Sequence, residues 1–185
     1  MIACTSTLQQ KPTFKWLWPQ INRMRTTESK LTRIDCFLSE RQNLRNAGKK
    51  LVFTNGCFDI LHSGHVAYLQ FARQQGDLLV VGLNADQSVK RAKGPERPIN
   101  NEHDRAFVLG ALECVDYVIL FHEDEPITLI EQIIPDVLVK GADWAHYVSG
   151  REIVEANGGC VILADMVPGK STTNTIAKLK DTPNA

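Results

Sequence analysis

Five short apolar runs recur along the chain: "LVFT" at 51–54, "LLVVGL" at 78–83, "YVILF" at 117–121, "DVLVK" at 136–140 and "CVILA" at 160–164. Each is rich in β-branched or aromatic residues and too short for a buried helix. Between them lie stretches with helical spacing of apolar positions. Strands that are apolar on both sides fit a parallel sheet covered on both faces, because parallel neighbours need a crossover and the crossover lays a helix on the sheet. The expected class is therefore α/β, a doubly wound parallel sheet of five strands. Such sheets bind ligands at the carboxyl ends of their strands, near the point where strand order reverses.

The helical segments are expected at about 34–47, 64–75, 102–114, 125–134, 149–156 and 174–179. The first carries Ile34, Phe37, Leu38 and Leu44, with Ser29 or Thr32 as its cap and Gly48 as its breaker. The stretch "KRAKGPERPIN" at 90–100 is read as irregular and polar.

Charge and cysteine usage remove several function classes. The 185 residues carry 21 basic and 21 acidic side chains, so nothing in the balance favours nucleic acid or a membrane surface. The five cysteines are scattered and never form a C-x-x-C pair, which argues against a disulfide framework and a thiolate zinc site and fits the cytoplasm. No apolar run approaches the roughly 18 residues a membrane-spanning helix needs. The first residues are basic, with no acid before Glu28, and Pro19 interrupts their apolar stretch. Residues 1–28 are expected to be a disordered extension, with Met24 as an alternative start, and residues 29–182 to be a single domain.

"TNGCFDILHSGH" at 54–65 follows the first strand and runs into a helix N-terminus, where free N–H groups and the helix dipole favour phosphate. His62 and His65 face one space, and Ser63 is placed to cap the helix. Paired histidines also suit zinc, but no third strong ligand stands near them. Cys57 reads as a small buried residue beside the strand.

"GCFDILHSGH" resembles the G-x-F-D-x-x-H-x-G-H signature of the cytidylyltransferase-like nucleotidyltransferases, which are Rossmann-like α/β enzymes of the HxGH type. The stretches "VGLNADQSVKRAKGPERPIN", "DRAFVLGALECVDYVILF", "PDVLVKGADW" and "VPGKSTTNTI" are similar, in the same order, to the heptose-1-phosphate adenylyltransferase branch of that family. That domain is often fused behind a sugar kinase, and this chain resembles a stand-alone form. "GKSTT" at 169–173 is not a Walker A motif, because Ala164 stands where the first glycine belongs.

The resemblance implies a reaction and a set of roles. A D-glycero-β-D-manno-heptose 1-phosphate would join ATP, with Mg2+, to give ADP-heptose and pyrophosphate for lipopolysaccharide precursors. His62, His65 and Lys93 would be catalytic, as donors and cations at the α-phosphate. Thr54, Asn55, Gly56, Cys57, Phe58, Asp143, Trp144, Lys170, Ser171 and Thr172, with the histidines, would bind the nucleotide. Asp59, Asp86, Arg97 and Arg105 would position substrate or phosphate, and no residue is assigned as a direct metal ligand. A homodimer or higher homo-oligomer is expected. The alternatives are a glycerol-3-phosphate cytidylyltransferase, whose closing element usually carries an arginine and an isoleucine that "MVPGKSTT" lacks, and a non-catalytic nucleotide-binding module.

Overall fold

In the computed structural model, which describes residues 25–180, strand and helix alternate through most of the chain. A short helix α1 (Thr27–Lys30) leads into β1 (Leu31–Thr32), α2 (Ile34–Asn46), β2 (Leu51–Gly56), α3 (Ser63–Arg73), β3 (Leu78–Asn84), α4 (Asp86–Lys93) and α5 (Glu102–Ala111). Then come β4 (Tyr117–Phe121), α6 (Ile127–Ile133), β5 (Val137–Gly141), a 3-10 turn at Ala142–Trp144, α7 (Arg151–Ala156), β6 (Cys160–Ala164) and α8 (Thr172–Lys180).

All strands pair in parallel, in the order β1-β4-β3-β2-β5-β6. The sheet thus has six strands, one more than the apolar runs announce. The extra strand is β1, joined to β4 through Leu31↔Val118 and Thr32↔Ile119. Two residues are too few to display a period, which is why this edge escapes sequence reading.

Side chains alternate across the sheet with period two. Val52, Leu79 and Val137 join Leu69, Ala72 and Leu109 from α3 and α5 on one face. Phe53, Val80 and Leu138 join Phe37, Ile130, Ile133 and Val154 from α2, α6 and α7 on the other. Full burial of each such side chain contributes roughly 1.5–3 kcal/mol before the entropy of ordering it is subtracted. Central strands buried on both faces explain why the runs at 51–54 and 78–83 are apolar without alternation.

Several local expectations are corrected. Residues 90–93 are not irregular: they form the last turn of α4, which Gly94, at φ 97°, ends. Neither Ser29 nor Thr32 caps α2, whose N-cap is Arg33 without a side-chain bond; Thr26 instead caps α1. On α3 the cap is His62, and Ser63 is the first helical residue. Helix α5 stops at Ala111, short of Cys114.

Residues 1–24 of the expected extension lie outside the described residues. Residues 25–28 stand with the domain: the Arg25 guanidinium lies 4.1 Å from the centre of the Tyr117 ring, and Thr27 packs against Gly110. Among the described residues no helix is long and apolar enough to cross a membrane.

The strand order places the reversal between β2 and β5. From β2 the chain steps outward through β3 to β4, then returns to the far side of β2 with β5 and β6. Loops leaving β2 and β5 therefore diverge, and a crevice opens between them at the carboxyl edge.

Candidate active site

The crevice can be followed residue by residue. Pairing between β2 and β3 continues to Gly56↔Leu83, whereas pairing between β2 and β5 is last seen at Phe53↔Leu138. Beyond those residues β2 and β5 part. Above the gap stand the 57–62 loop, the first turn of α3 and the 3-10 turn after β5.

His62 and His65 meet there as a stacked pair, ring centroids 3.9 Å apart and planes 14° from parallel. His62 Nδ1 accepts from the backbone N–H of His65 at 3.3 Å, so in the neutral ring the proton sits on Nε2, free to donate. Burial, followed by the neighbouring His62, lowers the His65 pKa to about 4, against an opposing backbone hydrogen bond at Ile60. His65 is a neutral imidazole at pH 7, and its buried Nδ1 has no hydrogen-bond partner. Phe58 holds this ring from the other side, edge-on at 5.4 Å, from a left-handed backbone at φ 43° that is uncommon for a bulky residue. A ring nitrogen donor on His62, backed by His65 at a helix N-terminus, is suited to binding phosphate oxygens.

The closing element arrives on the same turn. A Cβ on Gly64 would stand 3.0 Å from the His62 ring and from Lys170 Cβ, so glycine allows the 170 segment to sit on α3. Thr172 Oγ1 donates to Ile60 O at 3.3 Å, and Ser171 Oγ accepts from Asn174 N–H at 3.4 Å as a cap on α8. The tertiary fold thus brings "GCFDILHSGH" and "GKSTT" together. Lys93, exposed at the end of α4, lines a cavity of about 450 Å3 with Arg97, Ile99 and Thr173.

The expected positioning residues divide. Asp59 is almost fully buried and accepts from Arg97 Nε at 2.6 Å and from the N–H groups of Ile99 and Asn100. Burial pushes its carboxyl up, but the Asn100 and Ile99 amides and Arg97 outweigh that and hold it below the usual range. It orients the 97–100 loop, not a histidine, and Arg97 is its ion-pair partner. The Arg105 side chain has no exposed surface. It donates to Asn100 O, Cys57 O, Asn84 O and Asp86 Oδ1, a knot that ties four segments together beneath the crevice. Thr54 is likewise part of the floor, fully buried and bonded at 2.6 Å to Tyr68, whose hydroxyl donates to Val139 O.

On the β5 side Trp144 is 46% exposed and available to a ligand. Asp143 folds back over Gly141, so its carboxylate lies against the end of β5. Gly56 packs against the Phe58 ring, and burial raises the Cys57 thiol despite the nearby Lys93, Arg105 and Arg97. Cys57 is therefore not an activated thiolate.

Two participants escaped sequence reading. Lys140, on β5, donates to Asn55 Oδ1 at 2.8 Å across the gap. Tyr68 anchors both walls. The one available signal for Lys140 was a charge closing an otherwise apolar buried strand, "VLVK". Among the described residues no group of three or more His, Cys, Asp or Glu is arranged to hold a metal ion.

The cytidylyltransferase-like family model matches residues 53–184. The "Bifunctional protein HldE" of Geotalea uraniireducens (strain Rf4) is 54% identical over 83% of this chain and 32% of the relative. The chain thus spans about a third of the length of the curated relatives it matches. The crystal structure of the lipopolysaccharide core biosynthesis protein from Thermoplasma volcanium GSS1 is 31% identical, with a TM-score of 0.54, covering 65% of this chain and 98% of that one. A pantoate-beta-alanine ligase from Francisella tularensis is 14% identical with a TM-score of 0.56, over 81% of this chain and 76% of that one, and shares the fold.

Proposed function

Because the chain belongs to the cytidylyltransferase-like family, we propose that it transfers an adenylyl group from ATP to heptose 1-phosphate, forming ADP-heptose for lipopolysaccharide precursors and releasing pyrophosphate. The observation that carries this reading is the stacked His62–His65 pair at the N-terminus of α3, on the crevice where strand order reverses. The 54% identity to an HldE protein, the likeness to a lipopolysaccharide core biosynthesis protein, and the stretches "VKGADW" and "PGKSTT" favour heptose as the acceptor.

A phosphate oxygen of the sugar attacks the α-phosphorus of ATP. The new P–O bond forms as the bond to the β-phosphate oxygen breaks, and pyrophosphate leaves with the electron pair. The attacking monoester is already largely ionised near pH 7, so no strong general base is required. What the protein contributes is alignment and charge neutralisation. His62 Nε2–H and the first-turn amides of α3 bind oxygens of the α-phosphate, while His65 supports the pair from below. Lys93, Lys170, Ser171 and Thr172 hold the outgoing phosphates, and Trp144 packs on the nucleoside beside Asp143. Asp59 and Arg97 shape the loop that carries Ile99, and Arg105 keeps Asp86 in place. Magnesium carried on the triphosphate would supply further charge neutralisation, and Asp86, beside Arg105, would help to hold it.

The reading includes a homodimer or higher homo-oligomer in the cytoplasm. Phe107 and Val108 on α5, 48% and 49% exposed, support self-association, which sedimentation of the wild type against a Phe107→Ser variant tests.

The test of function is a matrix of ATP, CTP and other nucleoside triphosphates against D-glycero-β-D-manno-heptose 1-phosphate, glycerol 3-phosphate and free heptose, scored by pyrophosphate release. ATP with heptose 1-phosphate should dominate, and free heptose should be inert. Rapid CDP-glycerol formation without ADP-heptose would move the chain to another branch of the family. Chelation should stop turnover, and Mg2+ should restore it.

A further inference from the structure

Where β2 and β5 part, a cation spans the gap. The last residues these strands pair are Phe53 and Leu138. Asn55 and Lys140 stand two residues further along each strand, so they would face one another if the pairing continued. Instead of backbone bonds, the Lys140 ammonium donates to the Asn55 side-chain oxygen at 2.8 Å.

This partner is a neutral amide, and that sets Lys140 apart from the other cations under the crevice. Arg105 is ion-paired with Asp86, and Arg97 with Asp59. Lys140 has no carboxylate within ion-pair distance among the described residues, and of its three N–H donors one is used. It sits at the strand end immediately before the turn that carries Asp143 and Trp144, with Nζ 5.7 Å from the centre of the Trp144 ring. Desolvation lowers its pKa to about 8, with Asp143, Cys57 and Glu125 opposing, which marks an ammonium short of negative charge. A half-buried lysine held by an uncharged oxygen is under-compensated. A phosphate oxygen entering the crevice would supply the missing charge.

We infer that Lys140 is a phosphate-binding cation of this site: a substrate phosphoryl oxygen replaces Asn55 as the acceptor of its ammonium, in the gap between β2 and β5. Asn55 serves as its resting partner and holds the ammonium over the gap when no phosphate is bound. The inference rests on the nucleotidyltransferase reading for the identity of the substrates, but not on which sugar is used. Two phosphates have the required chemistry, the α-phosphate of the nucleotide and the phosphate of the acceptor.

Calorimetric titration separates them. Wild type, Lys140→Met and Lys140→Arg are titrated with magnesium ATP, with adenosine and with heptose 1-phosphate, and melting temperatures are recorded beside each. Lys140→Met should bind one of the two phosphates at least tenfold more weakly, leave adenosine unchanged and keep its melting temperature. Lys140→Arg should recover much of the loss. A loss confined to ATP assigns the contact to the nucleotide, and one confined to heptose 1-phosphate assigns it to the acceptor. Asn55→Asp, which gives the ammonium a fixed counter-ion, should weaken the same phosphate without unfolding the protein. Unchanged phosphate affinity in Lys140→Met, or an equal loss for adenosine and ATP, would overturn the inference. A wild type that binds these phosphates through Lys140 yet forms no ADP-heptose would leave the inference standing and sink the proposed reaction. A wild type that binds neither phosphate would sink both.

Discussion

The rings of His62 and His65 lie face to face, 3.9 Å between centroids, with His62 capping the helix on which His65 rides. One histidine therefore both starts α3 and presents its outer nitrogen to the crevice, and the other fixes the plane in which it does so.

Removing the support should cost catalysis more than folding. His65→Ala is expected to lower turnover on the order of a hundredfold, the scale for losing a donor arrangement aimed at transition-state charge. Steady-state kinetics and a thermal melt on the same preparation check this. Near-normal turnover in a folded variant would make the pair purely structural.

The same pair should make the fold sensitive to mild acid. The folded-state His65 pKa of about 4 lies below the ordinary imidazole value of 6.5, burial being the largest cause and His62 the next. Above pH 6.5 neither state carries the proton, so this group adds no pH dependence. As pH falls from about 6.5 to about 4 the unfolded chain takes up a proton that the folded chain refuses, and stability is lost at up to roughly 1.4 kcal/mol per pH unit. Below about 4 both states are protonated and the loss stops growing. Denaturant melts from pH 7.5 to 4 should show this slope in the wild type and a shallower one in His65→Gln. Identical slopes would place the His65 value near normal.

Arg105 should behave as a structural residue. Its guanidinium joins Cys57, Asn84, Asn100 and Asp86 with no exposed side-chain surface, so truncation strands several buried acceptors. Arg105→Met is expected to lose on the order of 3–5 kcal/mol, and Arg105→Lys somewhat less because a single ammonium cannot match the fork. Chemical denaturation measures the loss. Full stability with only a raised KM would return Arg105 to the substrate-contacting role that its place in the sequence suggested.

The alternation of apolar runs and helical periods was sufficient, by itself, to determine the α/β class, the parallel sheet and the strand-to-helix loop carrying the histidines. These properties are local: strand burial on both faces writes itself into a few adjacent residues, and so does a glycine-bearing turn before a helix. The motif around His62 and His65 was legible for the same reason, since cap, ring pair and helix start lie within four consecutive residues. What only the tertiary structure decided depends on residues distant along the chain. Strand β1 exists because β4 offers it an edge, although its own two residues carry no pattern. In sequence Arg105 is expected to position substrate or phosphate, whereas Lys140 reads as an ordinary cation. The fold surrounds one with a carboxylate and three carbonyls from other segments, and leaves the other facing a single amide where two strands diverge. A side chain's charge is fixed by its chemistry, but whether that charge is consumed by the scaffold or left for a ligand depends on which long-range neighbours the topology delivers.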